Sequence, residues 1–328
     1  MTAAAGGPGG ESPPAASGSD YGVIVLNYQN WPSVADTINS VLAQDVPPGV
    51  VVVVDNASTT GDAASIRAAF PDVHVVESET NGGYAAGMNL GLRHLPQDLP
   101  YALLLTHDVL LDPGAVRGLS DALDLDTSLA VAGPLLCFRS RPDKVFSSGG
   151  QLIGCRLMTR HDDAEQPVEG ITTDTRHVEW VDGSCMLVRR VALRTAGLGF
   201  DEGYFLYLEE TELQTRLWRA GWGVGCVRGA RAWQEPGNPR LALWTRNRLR
   251  FVWRNAGLAP FLAEARETAK AAWRQVRRGD RQRAVAEIVG LGGFVIGIAP
   301  ERIARFGVAR HEQQSEVDLG SFPPGGRR

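Results

Sequence analysis

Thr106-His107-Asp108 and Glu209-Glu210-Thr211-Glu212 are the two polar clusters of this sequence whose residue types could do chemistry. The first follows residues 101–105, an apolar run without alternation, which suits a short strand buried on both faces of a parallel sheet. Polar groups at the carboxyl end of such a strand sit where open α/β sheets bind ligands. Strand alternation puts Thr106 and Asp108 on one side and His107 on the other. The alternative is an ordinary strand end with a turn aspartate. The second cluster opens a helix near Leu208, on which Glu209 and Glu212 share a face and Glu210 points to the apolar side marked by Leu213 and Leu217. An acid there is costly unless used, and two adjacent carboxylates push one pKa up, as a general base requires. The helix dipole alone accounts for Glu209 and Glu212 as first-turn acids.

A sheet must position these groups, and the preceding chain alternates accordingly. Residues 22–28 read as a buried strand, 32–43 as a helix and 50–54 as a β-branched strand ending in Asp55-Asn56-Ala57-Ser58. A helix over 62–70, a strand over 73–77 and the turn Asn81-Gly82-Gly83, which opens another helix, lead to the Tyr101 strand. That order predicts a doubly wound, mostly parallel sheet. Residues 26–31 lack the glycines that admit a pyrophosphate, which argues against NAD. Asn27, Asp55 and Asn81 instead close successive elements; Asp55 either accepts from a base or ribose or caps its own turn through Asn56 and Ser58.

The 328 residues, 44% hydrophobic, suffice for a substantial core. A net charge of -4 and a pI near 5.9 give no general attraction to nucleic acid. Four dispersed cysteines without CxxC spacing indicate neither zinc nor disulfides and fit a reducing cytoplasm.

Five stretches in order carry a family resemblance: residues 25–28 (VLNY), 52–58 (VVVDNAS), 81–91 (NGGYAAGMNLG), 181–190 (VDGSCMLVRR), and 200–202 (FDE) with 204–213 (YFLYLEETEL). Over residues 21–255 the chain resembles a family 2 glycosyltransferase of the GT-A fold, in its rhamnosyltransferase-like branch. The resemblance implies a nucleotide-binding half and an acceptor-binding half, followed by C-terminal helices. It implies that Asp55 contacts the uracil or thymine of a nucleoside-diphosphate sugar, dTDP-rhamnose foremost, and that Asn27, Asn81, Gly82 and Gly83 line the donor pocket. Trp180, Asp182 and Gly183 fall on the acceptor side. Glu209 and Glu210 match the family's acidic pair, Glu210 as the base of an inverting transfer.

Two departures touch the metal. Thr106 stands where the DxD-type motif begins with an acid, leaving Asp108, and Gln234 stands where a metal-ligating histidine is usual. Glutamine is a weak ligand for a transition metal, although Mg²⁺ tolerates few oxygen contacts, so Asp108 and Gln234 imply a weakly held Mg²⁺ or Mn²⁺. His107 could substitute only if the strand end twists. Arg246 and Arg248 are then expected at the donor diphosphate, the alternative being the solvated face of a helix whose core side is Leu243, Leu249 and Val252. The departures also motivate a rival reading, a degenerate non-catalytic sugar-binding protein.

Organisation follows: residues 1–20 as a flexible tail without a secretion signal, 21–112 as the nucleotide-sugar half, 113–255 as the acceptor half, 256–310 as helical, and 311–328 as a second tail. Residues 138–176 read as an irregular acceptor loop. The apolar run 290–299 is too short and glycine-rich to span a membrane and is expected to pack on the catalytic domain, with peripheral membrane contact at the inner face left open. The acceptor is a hydroxyl on a glycan, a lipid-linked glycan or a small natural product.

Overall fold

A computed structural model describes residues 19–195, 199–237 and 239–304. The chain begins β1 (Tyr21–Asn27), α1 (Ser33–Leu42), β2 (Val50–Asp55), α2 (Asp62–Ala69), β3 (His74–Glu77), α3 (Gly83–His94) and β4 (Tyr101–Thr106). It continues through β5 (Leu110–Leu111), α4 (Ala115–Leu125), β6 (Leu129–Phe138), β7 (Val145–Ser147), β8 (Gly150–Ile153), β9 (Met158–His161) and β10 (Thr175–Val178). After β11 (Cys185–Arg189) come α5 (Arg190–Thr195), α6 (Glu209–Arg219), β12 (Gly223–Gln234), α7 (Leu241–Ala256), α8 (Leu258–Arg277), α9 (Arg281–Val295) and α10 (Pro300–Ala304).

The main sheet runs β10-β12-β6-β11-β4-β1-β2-β3. Pairings β1 with β2, β2 with β3, β1 with β4 and β12 with β6 are parallel. Both faces are covered, which is why the strands carry no polar alternation. Val23, Val25, Leu103 and Leu105 turn to one core with Ile38 of α1 and Leu119 of α4; Ile24, Leu26 and Leu104 turn to the other with Met88 of α3 and Leu213 of α6. Each such side chain, fully buried, stabilises the fold by roughly 1.5 to 3 kcal/mol.

The antiparallel strand β11 matters most for function. Its first residue, Cys185, pairs with Leu105 near the end of β4, and the Thr106 amide donates to the Ser184 carbonyl at 3.0 Å. The loop entering β11 therefore shares the sheet edge where the parallel strands finish, and Asp182-Gly183 lies beside Thr106. Two expectations are corrected. Residues 138–176 are not irregular throughout: β7 pairs with β6, β8 and β9 form a hairpin, and β10 extends the sheet. Ordered structure also starts before residue 21, since the Ser19 hydroxyl donates to the Pro47 carbonyl at 2.9 Å. Residues 1–18 and 311–328, read as tails, lie outside the described residues. The run 290–299 packs on α7, where a Cβ at Gly290 would meet the Ala242 carbonyl at 2.6 Å.

Candidate active site

A cleft of about 700 Å³ opens at the carboxyl ends of β1 and β4. Asn56, Asn81, Gly82, Gly83, Thr106 and His107 line it. The glycines follow from backbone geometry: Gly83 has φ +78°, and a Cβ there would stand 2.1 Å from the Phe205 carbonyl oxygen. The Asn81 side-chain oxygen accepts from the Gly83 amide at 2.9 Å and from Asn56 Nδ2 at 3.0 Å, which fixes the turn. Beneath the floor, buried Asn27 donates to Asp55 Oδ1 at 3.0 Å and to Asp62 Oδ2 at 2.9 Å. Asp55 also accepts from the Ser58 amide at 3.3 Å, so it caps its turn. The Asn27 side-chain oxygen has no partner among the described residues. Burial opposes ionisation of Asp62, yet hydrogen bonds from Asn27, Thr60 and the Asn30 amide hold its carboxyl below the ordinary value.

Thr106 Oγ1 donates to Asp108 Oδ1 at 2.6 Å, so the two share a side of the strand end. β5 pairs with β12, Leu110 opposite Trp233, and this brings Gln234 Nε2 to 3.4 Å from Asp108 Oδ2. Gln234 Oε1 is buried without a partner among the described residues. The amide nitrogen faces the carboxylate here; turning the Gln234 amide over would set its oxygen beside Asp108, and one carboxylate with one amide oxygen suits a hard divalent ion that takes its other ligands from phosphate and water. No group of three or more His, Cys, Asp or Glu among the described residues could hold a metal by itself. His107 hydrogen-bonds the Leu26 backbone, and burial lowers its pKa.

The acidic pair opens α6 directly after a strained turn. Phe205, Tyr207 and Leu208 have φ of 69°, 77° and 69°, a region that side chains disfavour. Asn247, buried in α7, holds this turn by donating to the carbonyls of Tyr204, Leu206 and Tyr207 at 2.8, 2.7 and 3.0 Å. Glu209 and Glu212 emerge buried, and Glu212 pairs with Arg216 at 2.8 Å. Glu210 is half-buried and faces the acceptor-side loop: a Cβ on Gly183 would stand 3.0 Å from the Glu210 Cβ. This corrects the expected orientation, in which Glu210 was the inward acid. Burial, then the charge of Asp182, pushes the Glu210 carboxyl up to about 7. Burial, then the charge of Glu210, raises Glu209 well above the ordinary range, and Glu209 Oε2 finds no partner among the described residues. The Gly183 carbonyl accepts from the Tyr84 hydroxyl at 2.5 Å, and Tyr84 lines the cleft, so acids and cleft adjoin through one residue.

Residues 22–195, more than half of the chain, match the family model for glycosyl transferase family 2. The chain belongs to this family. As a family 2 glycosyltransferase it is 28% identical over 220 residues to the N-acetylglucosaminyl-diphospho-decaprenol L-rhamnosyltransferase of Mycobacterium tuberculosis, covering 61% of this chain and 71% of that protein. It is 24% identical over 219 residues to a low-salt glycan biosynthesis hexosyltransferase of Haloferax volcanii, covering 63% and 64%. These relatives mark it as a hexosyltransferase. Its GT-A fold is shared with the Pyrobaculum calidifontis mannosyltransferase PcManGT solved with GDP-Man and Mn²⁺, at TM-score 0.52 and 16% identity, covering 88% of this chain and 90% of that one. GalNAc-T7 with UDP, GalNAc and Mn²⁺ gives TM-score 0.57 at 15% identity over 71% of this chain; the match spans only 48% of that structure.

In this family 2 glycosyltransferase the arginines of α7 are not where the sequence placed them. Arg248 is 1% exposed; its Nη1 donates to the Leu157 carbonyl at 2.7 Å, its Nη2 to the Arg156 carbonyl, and its Nε lies 3.4 Å from Glu264. Arg246 is buried and donates to the Gly203 carbonyl and to Asn247 Oδ1 at 2.9 Å. Neither a diphosphate site nor a solvated face describes them. Among the described residues the arginine that does line the cleft is Arg240, just before α7, whose amide donates to the Tyr207 hydroxyl at 3.1 Å. Nothing in its local spacing marked it. Trp180 is buried rather than open to an acceptor, its ring edge-on to His161 at 4.7 Å between centroids.

Proposed function

We propose that this family 2 glycosyltransferase transfers a deoxyhexose, rhamnose foremost, from a dTDP-linked donor to a hydroxyl of a lipid-linked glycan with inversion at the anomeric carbon. A UDP-sugar is the next donor in line. The observation that carries the reading is the Glu210 carboxyl, raised in pKa, set against Gly183 and one residue from the cleft. The acceptor oxygen attacks the anomeric carbon as its proton passes to Glu210, and the bond to the diphosphate breaks on the opposite face. The donor and acceptor classes rest on the mycobacterial relative, named for rhamnosyl transfer to a decaprenyl diphosphate sugar. We place contact with such an acceptor at the cytoplasmic face of a membrane; among the described residues no helix is long and apolar enough to cross one. Thermal shift with dTDP, UDP, GDP and NAD⁺ tests the donor class: selective stabilisation by dTDP supports it, and a preference for GDP or NAD⁺ overturns it.

Asp55 and the buried, unpartnered oxygen of Asn27 are the groups we assign to the base or ribose. Asp55→Ala is expected to weaken dTDP binding by about 1 to 3 kcal/mol in calorimetry, since a donor on the base loses its partner. An unchanged dissociation constant in a folded variant would reduce Asp55 to its turn cap.

Asp108 and Gln234 would hold a divalent cation together with the donor's phosphates, and the ion would supply charge neutralisation for the departing diphosphate. With so few protein ligands, the apo enzyme should bind Mg²⁺ or Mn²⁺ weakly, and dTDP should raise metal affinity by at least about ten-fold, roughly 1.4 kcal/mol of coupling. Paired calorimetric titrations with and without nucleotide read this directly. Equal metal affinity in both would contradict it.

A further inference from the structure

α8 and α9 form a layer on α7 whose outer side is apolar. On α8, Leu258, Leu262, Trp273 and Val276 are each half exposed or more, and positions 258, 262, 269, 273 and 276 recur along one helical stripe. On α9, Val285, Ile288 and Val295 repeat the pattern. Soluble proteins seldom leave such contiguous apolar surface without a use. Cations flank the α8 stripe: Arg266, Lys270, Arg274 and Arg277 are exposed on the neighbouring turns, and Arg278 and Arg281 continue them. Glu267 offsets Lys270 at 2.7 Å and buried Glu264 is turned to Arg156 at 3.0 Å, which leaves Arg266, Arg274, Arg277, Arg278 and Arg281 in excess, so the face is cationic on a chain of net charge -4. An apolar stripe bordered by arginines and lysine is the pattern of a helix lying in the interface of an anionic bilayer.

From this charge complementarity we infer that the outer face of α8 and α9 docks on an anionic lipid surface. The inference deepens the lipid-linked acceptor reading above, although the docking needs no turnover. The same face is tied to the acceptor side. Glu264 of α8 pairs with Arg156 in the turn between β8 and β9, and Ile153 at that turn is exposed. The Gly150 amide of the same hairpin donates to the carbonyl of Trp180, two residues before Asp182, at 2.9 Å, so the docking helix is joined through the hairpin to the acceptor-side loop, which would bring a headgroup-borne acceptor to the same end of the molecule.

Co-sedimentation of the full chain with vesicles tests it, using phosphatidylcholine alone and phosphatidylcholine with about a quarter phosphatidylglycerol. Anionic vesicles should bind at least about ten-fold more tightly than neutral ones, since each basic side chain at such a surface contributes about five-fold. Trp273→Glu with Val276→Glu should abolish binding to both. Arg274→Gln with Arg277→Gln should lower binding to the anionic vesicles by about ten-fold or more and leave the neutral ones unchanged. Circular dichroism and dTDP thermal shift confirm that the variants are folded. Absence of vesicle binding by the wild type, or equal binding by the variants, overturns the proposal. So does a dimer, seen by light scattering and dissolved by the glutamate pair, in a chain that ignores vesicles: the face would then join two copies. Vesicle binding without dTDP recognition would instead overturn the donor assignment and leave the docking face standing.

Discussion

Glu210→Gln should lower turnover by about 10²- to 10⁴-fold, the usual loss for a general base, while donor affinity stays within about two-fold. The substitution keeps shape and removes proton acceptance. It also removes the carboxylate whose charge raises Glu209, so the two acids must be compared. Glu209→Gln should cost far less activity, because Glu209 is buried and its neighbour faces Gly183. Steady-state kinetics on both variants decides between them. Loss confined to Glu209→Gln would move the base by one residue, and retention in both would remove the acid pair from the chemistry.

The pH profile supplies an independent reading. The base must be ionised to accept a proton, so kcat/KM should rise with pH and level off above the value of about 7 to which burial pushes Glu210. The pair titrates as one coupled unit, and the inflection belongs to both acids. The sign for stability is opposite. Between the ordinary carboxylate range and about 7 the folded state binds more protons than the unfolded chain, so stability from this site is full below that range and declines as pH rises through it. Glu210→Gln should flatten the kinetic curve, which loss of a merely structural acid would not do, and should lessen the slope of the stability curve, part of which Glu209 keeps through its own burial.

How much of this could be read beforehand depends on the reach of each interaction. The parallel strands were legible because burial on both faces leaves unbroken apolar runs, as in residues 50–54. The glycine turn was legible because Gly83 adopts a left-handed φ. The orientation of the acids was not. Leu213 and Leu217 stand three and seven residues after Glu210 but four and eight after Glu209, so helical spacing does not choose between them. The strained turn at Phe205 to Leu208 chooses, and its clamp, Asn247, lies about forty residues downstream. Sequence spacing also cannot show that a buried guanidinium is spent on carbonyls ninety residues away.

Arg248→Ala should destabilise the enzyme by about 3 to 5 kcal/mol, the usual result of deleting one partner from a buried charged pair. Glu264, buried, would keep only Arg156, and the Leu157 and Arg156 carbonyls would lose their donor. Arg248→Lys should recover little, because an ammonium cannot reproduce a fork that reaches two successive carbonyls and a carboxylate. Urea unfolding measures the loss, and dTDP affinity of the folded fraction should be unchanged. The clamp joins α7 to the β8–β9 turn and to α8, so the loss should be global rather than confined to the cleft. The opposite result, normal stability with nucleotide binding weakened by about ten-fold or more, would return Arg248 to the donor diphosphate. It would require a guanidinium that is 1% exposed to leave its carbonyls and turn outward when donor binds.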